Sequence, residues 1–182
     1  MENNLISYPT VLLIAGTGRN SGKTTFVTAV CSQFDAGSKP VCVKISNHFH
    51  EQAGSLCLVD MDNFRIFEET QVSSQKDSAR MLEAGAARSF FIEADREYVY
   101  QAFKFLLDLI SESAPIICES GNLRNYLIPA VFVMLHTNVT DPKPEAVELF
   151  PLADKVLVSE PVDLQIPGNF VSFNNETWRI NL

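Results

Sequence analysis

At 182 residues, with 46% apolar and 20% charged side chains, the chain has the make-up of an ordinary globular protein and the length to bury one core. Its net charge of −8 argues against a sequence-independent nucleic-acid binder, which needs a basic face, but leaves room for a nucleotide site whose positive field is local. No apolar run approaches the length of a membrane span, Met1-Glu2-Asn3-Asn4 lacks the basic start of a signal peptide, and the four cysteines form no C-x-x-C pair. A cytoplasmic protein of one domain, residues 1–182, is therefore expected, with no membrane or nucleic-acid partner.

The first element in chain order is a buried strand over Thr10 to Ala15, followed by a glycine-rich loop and a helix from Phe26 to Phe34 that Asp35-Ala36-Gly37-Ser38 ends. Pro40 to Ile45 reads as a second buried strand, parallel to the first through a right-handed crossover. The polar stretch Ser46 to Gly54 carries His48, His50 and Glu51. Leu56 to Val59 and Phe64 to Thr70, separated by Asp60-Met61-Asp62-Asn63, form a hairpin. Ser74 and Asp77 make a capping-box-like start for a helix through Glu83, with Gly85 as its stop.

A short strand over Arg88 to Glu93 leads to a helix with Asp95 as N-cap, on which Val99, Ala102, Phe103, Leu106, Leu107 and Ile110 recur at helical spacing. Pro115 to Glu119 is a buried strand ending in an acid, with Ser120-Gly121-Asn122 directly after it. Ala130 to Leu135 and Lys155 to Val158 are further buried strands, and Phe170 to Phe173 with Trp178 to Ile180 make an edge hairpin. Continuous apolar strands alternating with helices require a mostly parallel sheet covered on both faces. Ligands in such sheets sit at the carboxyl ends of the strands, so the loop after Ala15, the polar stretch after Ile45 and Glu119 should share one rim.

The loop itself is Gly16-Thr17-Gly18-Arg19-Asn20-Ser21-Gly22-Lys23-Thr24-Thr25. A glycine-rich turn from strand to helix converges backbone N–H groups on phosphate oxygens, and the helix N-terminus adds partial positive charge. Lys23 reaches the terminal phosphates of a bound nucleoside triphosphate and the Thr24 hydroxyl serves a phosphate-bound Mg2+. The usual four-residue spacing would place the first glycine where Thr17 stands, so this loop is a variant with five residues between Gly16 and Gly22. The fold expected is a three-layer P-loop NTPase α/β fold with a small hairpin insertion.

Such a site needs a second acid for the magnesium shell. Glu119 is preferred, since its strand is the more apolar and a polar turn follows it, while Asp60 is the alternative and is equally at home as a turn residue. Lys44, at the carboxyl end of a buried strand, points at the rim and is a candidate for a phosphate or acidic-substrate contact. His48 and His50 lack the further ligands a zinc site requires. For Lys76-Asp77-Ser78-Ala79-Arg80 the plain reading is a helix start, with Asp77 closing the cap with Ser74 and Arg80 solvated.

Taken together, Gly22-Lys23-Thr24-Thr25, Lys44 with histidines just after it, and Lys76-Asp77-Ser78-Ala79-Arg80 leading to Glu83-Ala84-Gly85-Ala86 resemble the molybdopterin-guanine dinucleotide biosynthesis adapter family, MobB, over roughly residues 11–135. The resemblance implies a GTP-binding homodimer with weak hydrolysis, a protein partner in molybdenum cofactor biosynthesis, and site roles for Asp77 and Ser78. Two features depart from that family. The Gly16-Thr17 loop is more similar to dethiobiotin synthetase and the cobyrinic acid amidase group, and the Lys-His pattern is spread out over Lys44 to His50. An ATP-dependent ligase or amidase, and a nucleotide-binding module without hydrolysis, are the alternatives. No Asn-Lys-x-Asp guanine signature is present, and Thr137 to Lys143 is only a faint echo of one.

Overall fold

The structure, a computed structural model, describes residues 5–18, 20–50, 54–72, 75–137, 142, 144–158 and 166–181. In chain order the strands are β1 (Ile6–Gly16), β2 (Val41–Ser46), β3 (Ser55–Asp60), β4 (Phe64–Glu69), β5 (Arg88–Ala94), β6 (Ile116–Glu119), β7 (Leu127–His136), β8 (Lys155–Val158), β9 (Val171–Asn174) and β10 (Thr177–Ile180). The helices are α1 (Lys23–Cys31), α2 (Asp77–Glu83), α3 (Val99–Leu107) and α4 (Pro144–Val147). Among the described residues, eight strands form one sheet in the order β3-β4-β5-β2-β6-β1-β7-β8, and β9 pairs with β10 in a separate sheet. From β5 to β8 every pairing is parallel; β4 runs antiparallel to β5, and β3 to β4.

The expected α/β architecture is present, a mostly parallel sheet between helices with a hairpin added at one edge. β1 and β2 run parallel but do not touch, because β6 lies between them. β6 is buried at all four positions, and such a strand needs a neighbour on each side as well as cover on each face. Alternation sorts the side chains. Leu13, Val43, Cys118 and Phe132 pack beneath α3 and α4, whereas Leu12, Ile14, Cys42, Ile117 and Val133 pack against Phe26, Val27 and Val30 of α1 and Met81 of α2. The β9–β10 hairpin joins this second core through Phe170, Val171 and Trp178. It covers a face rather than adding to the edge of the sheet, which corrects the expected edge hairpin.

α1 begins at Lys23, three residues before the sequence pattern places it, because Gly22 at φ 84° supplies the left-handed turn into the first helical residue. α2 starts at Asp77 with Lys76 as N-cap and without a side-chain cap, since lysine has no acceptor to offer, while the Asp77 carboxylate is engaged with Lys44; Ser74 lies outside the described residues. Gly85, at φ 104°, ends the helix as expected. Asp95 opens a short 3₁₀ turn over Arg96–Tyr98 rather than capping α3 directly. All four cysteines are free thiols, Cys31, Cys42 and Cys118 buried and Cys57 exposed on β3. Among the described residues, no helix is long and apolar enough to cross a membrane.

Candidate functional site

The carboxyl ends of β1, β2 and β6 open into a cleft of about 830 Å³. It is lined by residues of the glycine-rich loop, by Lys44 and Glu119, and by Asn47, Asn122 and Arg96. The alternation that turns Cys42 and Ile117 toward α1 also turns Lys44 and Glu119 that way, two residues further along each strand. The two are register partners on adjacent strands, so their side chains meet by construction.

The loop folds back over the end of β1. Thr17 is fully buried, its N–H donating to the Leu135 carbonyl at 3.0 Å and its hydroxyl accepting from the Thr137 N–H at 3.4 Å. That side chain clips the loop to β7, which accounts for a threonine where the usual pattern has its first glycine. Gly16 carries the steric demand instead: a Cβ there would lie 2.2 Å from Ser21 Oγ and 3.1 Å from the Lys23 side chain. Ser21 Oγ donates to the Gly18 carbonyl at 3.2 Å, and Lys23 Nζ donates to that carbonyl at 2.8 Å and to Ser21 Oγ at 3.1 Å. Asn20 and Gly22 both hold positive φ, the backbone conformation that turns N–H groups into an anion-binding concavity. Arg19 lies outside the described residues.

Thr24 Oγ1 donates to Glu119 Oε2 at 3.0 Å, and Glu119 is 4% exposed. Lys44 Nζ sits between two carboxylates, donating to Asp77 Oδ2 and lying 3.4 Å from Glu119 Oε1. Burial pulls the Lys44 ammonium down, but the Glu119 charge and the Asp77 hydrogen bond outweigh it and hold the group above its ordinary value. Burial likewise pushes the Asp77 carboxyl up, and is outweighed by Lys44, the Thr24 hydroxyl and Arg80, leaving it below the usual aspartate range. Arg80 lies 3.6 Å from Asp77 one helical turn on and lines the cleft, so it is not merely solvated.

Asn122 Nδ2 donates to Asn47 Oδ1 at 2.5 Å, and Asn47 Nδ2 to the Ala94 carbonyl at 3.0 Å, tying the loops after β2 and β6 to the end of β5. Arg96 and Glu145 meet across the mouth at 3.5 Å. These residues have only a positional signal in sequence: Asn47, Arg96 and Asn122 each follow closely on the end of a buried strand.

Two expected site residues fall elsewhere. Ser78 is buried and donates to Glu69 Oε2 at 3.0 Å, away from the cleft, because the 100° helical step separates it from Asp77. Asp60 ends β3 at the sheet edge, its side chain 69% exposed and paired with Arg65 at 3.0 Å; it is a hairpin residue far from Thr24 in strand order. His48 lines the cleft with its ring 6.2 Å from that of His50, while Glu51 lies outside the described residues. Among the described residues no three His, Cys, Asp or Glu side chains converge as a metal site.

The donor set fits a phosphate-bound Mg2+ all the same. Such an ion takes one or two protein oxygens and the rest from phosphate and water, and a hydroxyl hydrogen-bonded to a buried carboxylate beside an anion cradle is that set. No protein-family model, curated protein or solved structure matches the chain.

Proposed function

We propose that the protein binds a nucleoside triphosphate with Mg2+ in this cleft and hydrolyses it slowly, as a MobB-like adapter acting with a protein partner, as a homodimer, in molybdenum cofactor biosynthesis. GTP is the nucleotide that the resemblance implies. The observation that carries the reading is the Thr24–Glu119 hydrogen bond at the mouth of a loop in which a Cβ at Gly16 would displace Ser21. Backbone N–H groups of Asn20 to Thr24 cradle the phosphates, and Lys23 exchanges its contacts within the loop for the terminal phosphate oxygens. Thr24 and Glu119 would hold the Mg2+, which when bound neutralises charge on the phosphates. Lys44, which lines the same cleft, is the second cation offered to the terminal phosphate.

The test is calorimetric titration of GTP and of ATP with Mg2+, followed by phosphate release. GTP binding with slow release supports the adapter; ATP binding that turns over only with an added carboxylate compound supports a ligase; binding without release identifies an inert module. Lys23→Ala removes a charge-assisted contact of about 1.5–3 kcal/mol, so affinity is expected to fall about 10- to 100-fold with the unfolding midpoint unchanged. Equal affinity in the two proteins overturns the phosphate-loop assignment.

A further inference from the structure

The first turn of α2 is a junction between the cleft and the sheet edge. Three consecutive residues leave it in different directions. Asp77 holds Lys44 at the cleft, Lys76 Nζ donates to Ser55 Oγ at 3.1 Å where β3 begins, and Ser78 Oγ donates to Glu69 Oε2 at 3.0 Å where β4 ends. Ser55 Oγ also donates to Glu69 Oε2 at 3.4 Å, and the other Glu69 oxygen accepts from the N–H groups of Thr70 and Gln71. The open end of the β3–β4 hairpin is thus closed on the helix that carries Asp77, through a carboxylate 4% exposed.

We propose that α2 is a nucleotide-responsive helix that couples the terminal phosphate in the cleft to the β3–β4 edge. This rests on the nucleotide reading above. Lys44 is shared between Asp77 and Glu119, and a terminal phosphate entering beside it competes for the same ammonium. When Lys44 turns to the phosphate, Asp77 loses its link to β2 but keeps Arg80 within its own helix and the Thr24 hydroxyl on α1. α2 therefore re-seats against α1 as a unit rather than unwinding. Ser78 and Lys76 carry the shift to Glu69 and Ser55, and so to an edge strand that presents Leu56, 53% exposed, and the one exposed thiol, Cys57. A diphosphate, which lacks the competing group, leaves Lys44 on Asp77. Linkage makes the effect reciprocal: whatever loosens the hairpin contacts also alters the preference for triphosphate over diphosphate.

Amide hydrogen exchange over residues 54–72 and 77–83 of the full chain, with parallel thiol labelling of Cys57, tests this after calorimetry has established binding. The probes are the β,γ-imido analogues of GTP and ATP, against GDP and ADP, all with Mg2+. The bound analogue is expected to change hairpin exchange and Cys57 labelling several-fold, and the diphosphate to leave both as in the nucleotide-free protein. Ser78→Ala, whose loss still leaves Glu69 its other donors, should bind the analogue and lose the hairpin response; Ser78→Thr should restore it. Lys76→Met is the second variant, expected to weaken the response from the β3 side. An analogue that binds without changing the hairpin overturns the coupling, as does a full response in both Ser78→Ala and Lys76→Met. Failure of every nucleotide to bind overturns the nucleotide reading itself, and the coupling with it.

Discussion

At Gly16 the constraint on the loop is steric. Its φ is unexceptional, but Ser21 Oγ lies where its Cβ would be, and that hydroxyl in turn accepts from Lys23. Gly16→Ala must push Ser21 off the Gly18 carbonyl and spoil the cradle, with an overpacking cost of about 1–3 kcal/mol. Nucleotide affinity is expected to fall about tenfold or more, and Gly16→Ala with Ser21→Gly should regain most of it, since the obstructing atom is gone. Calorimetry on the single and double variants checks this; equal loss in both would mean that Gly16 matters for a reason other than Ser21. That a tight turn joins β1 to α1 was legible because Gly16, Gly18 and Gly22 crowd that stretch. Thr17 was not legible, since its role depends on Leu135 and Thr137, which strand order alone brings beside it.

Among the elements, α2 with β2 shows what periodicity can and cannot settle. That a helix follows the hairpin was readable, and so was its stop at Gly85. Which of Asp77 and Ser78 faces the cleft was not, because that depends on the rotation of a seven-residue helix fixed by Ala79 and Met81 in the core. The place of β6 between β1 and β2 was equally hidden, since parallel strands buried on both faces look alike in sequence. The Lys44–Asp77 pair that results has a pH signature. A carboxyl held below its ordinary range contributes stability that is complete above about pH 4 and is lost as pH falls through the folded value. An ammonium held above its ordinary range contributes stability that is complete below about pH 10 and is lost as pH rises through the folded value. Lys44→Met removes the ammonium's contribution and the Lys44 share of the carboxyl's, leaving Asp77 with Thr24 and Arg80, and both Asp77 and Glu119 without their shared cation. The urea midpoint at neutral pH is expected to drop, and its further decline below about pH 4 to be shallower than in the parent protein. Tryptophan fluorescence across the acid range reads this directly; parallel acid limbs in the two proteins would show that the pair contributes nothing to folding.

For the whole molecule, a net charge of −8 coexists with a cleft lined by the cations Lys23, Lys44, Arg80 and Arg96 against the carboxylates Asp77, Glu119 and Glu145, so the acidic excess of the chain is not carried into the place where the strands end. The strand that feeds this cleft is itself held nearer its start, on the same face as α1. The β1–β7 pairing shifts register between Tyr8 and Leu12, around Pro9, which has no N–H to give a neighbour. The Thr10 carbonyl in that irregularity accepts from Trp178 Nε1 at 2.8 Å, and the indole is 2% exposed between Phe34 and Phe173. The β9–β10 hairpin therefore fastens β1 at its irregular stretch while the glycine-rich loop leaves its far end. Trp178→Ala is expected to cost about 3–5 kcal/mol, as for a large buried aromatic. Trp178→Phe keeps the ring packing but strands the Thr10 carbonyl, and should cost about 1–3 kcal/mol. Urea unfolding followed by circular dichroism measures both, since the sole tryptophan is lost in each. If the hairpin were an appendage, neither midpoint would move; if it fastens β1, Trp178→Ala loses the most and the loop's nucleotide affinity weakens with it.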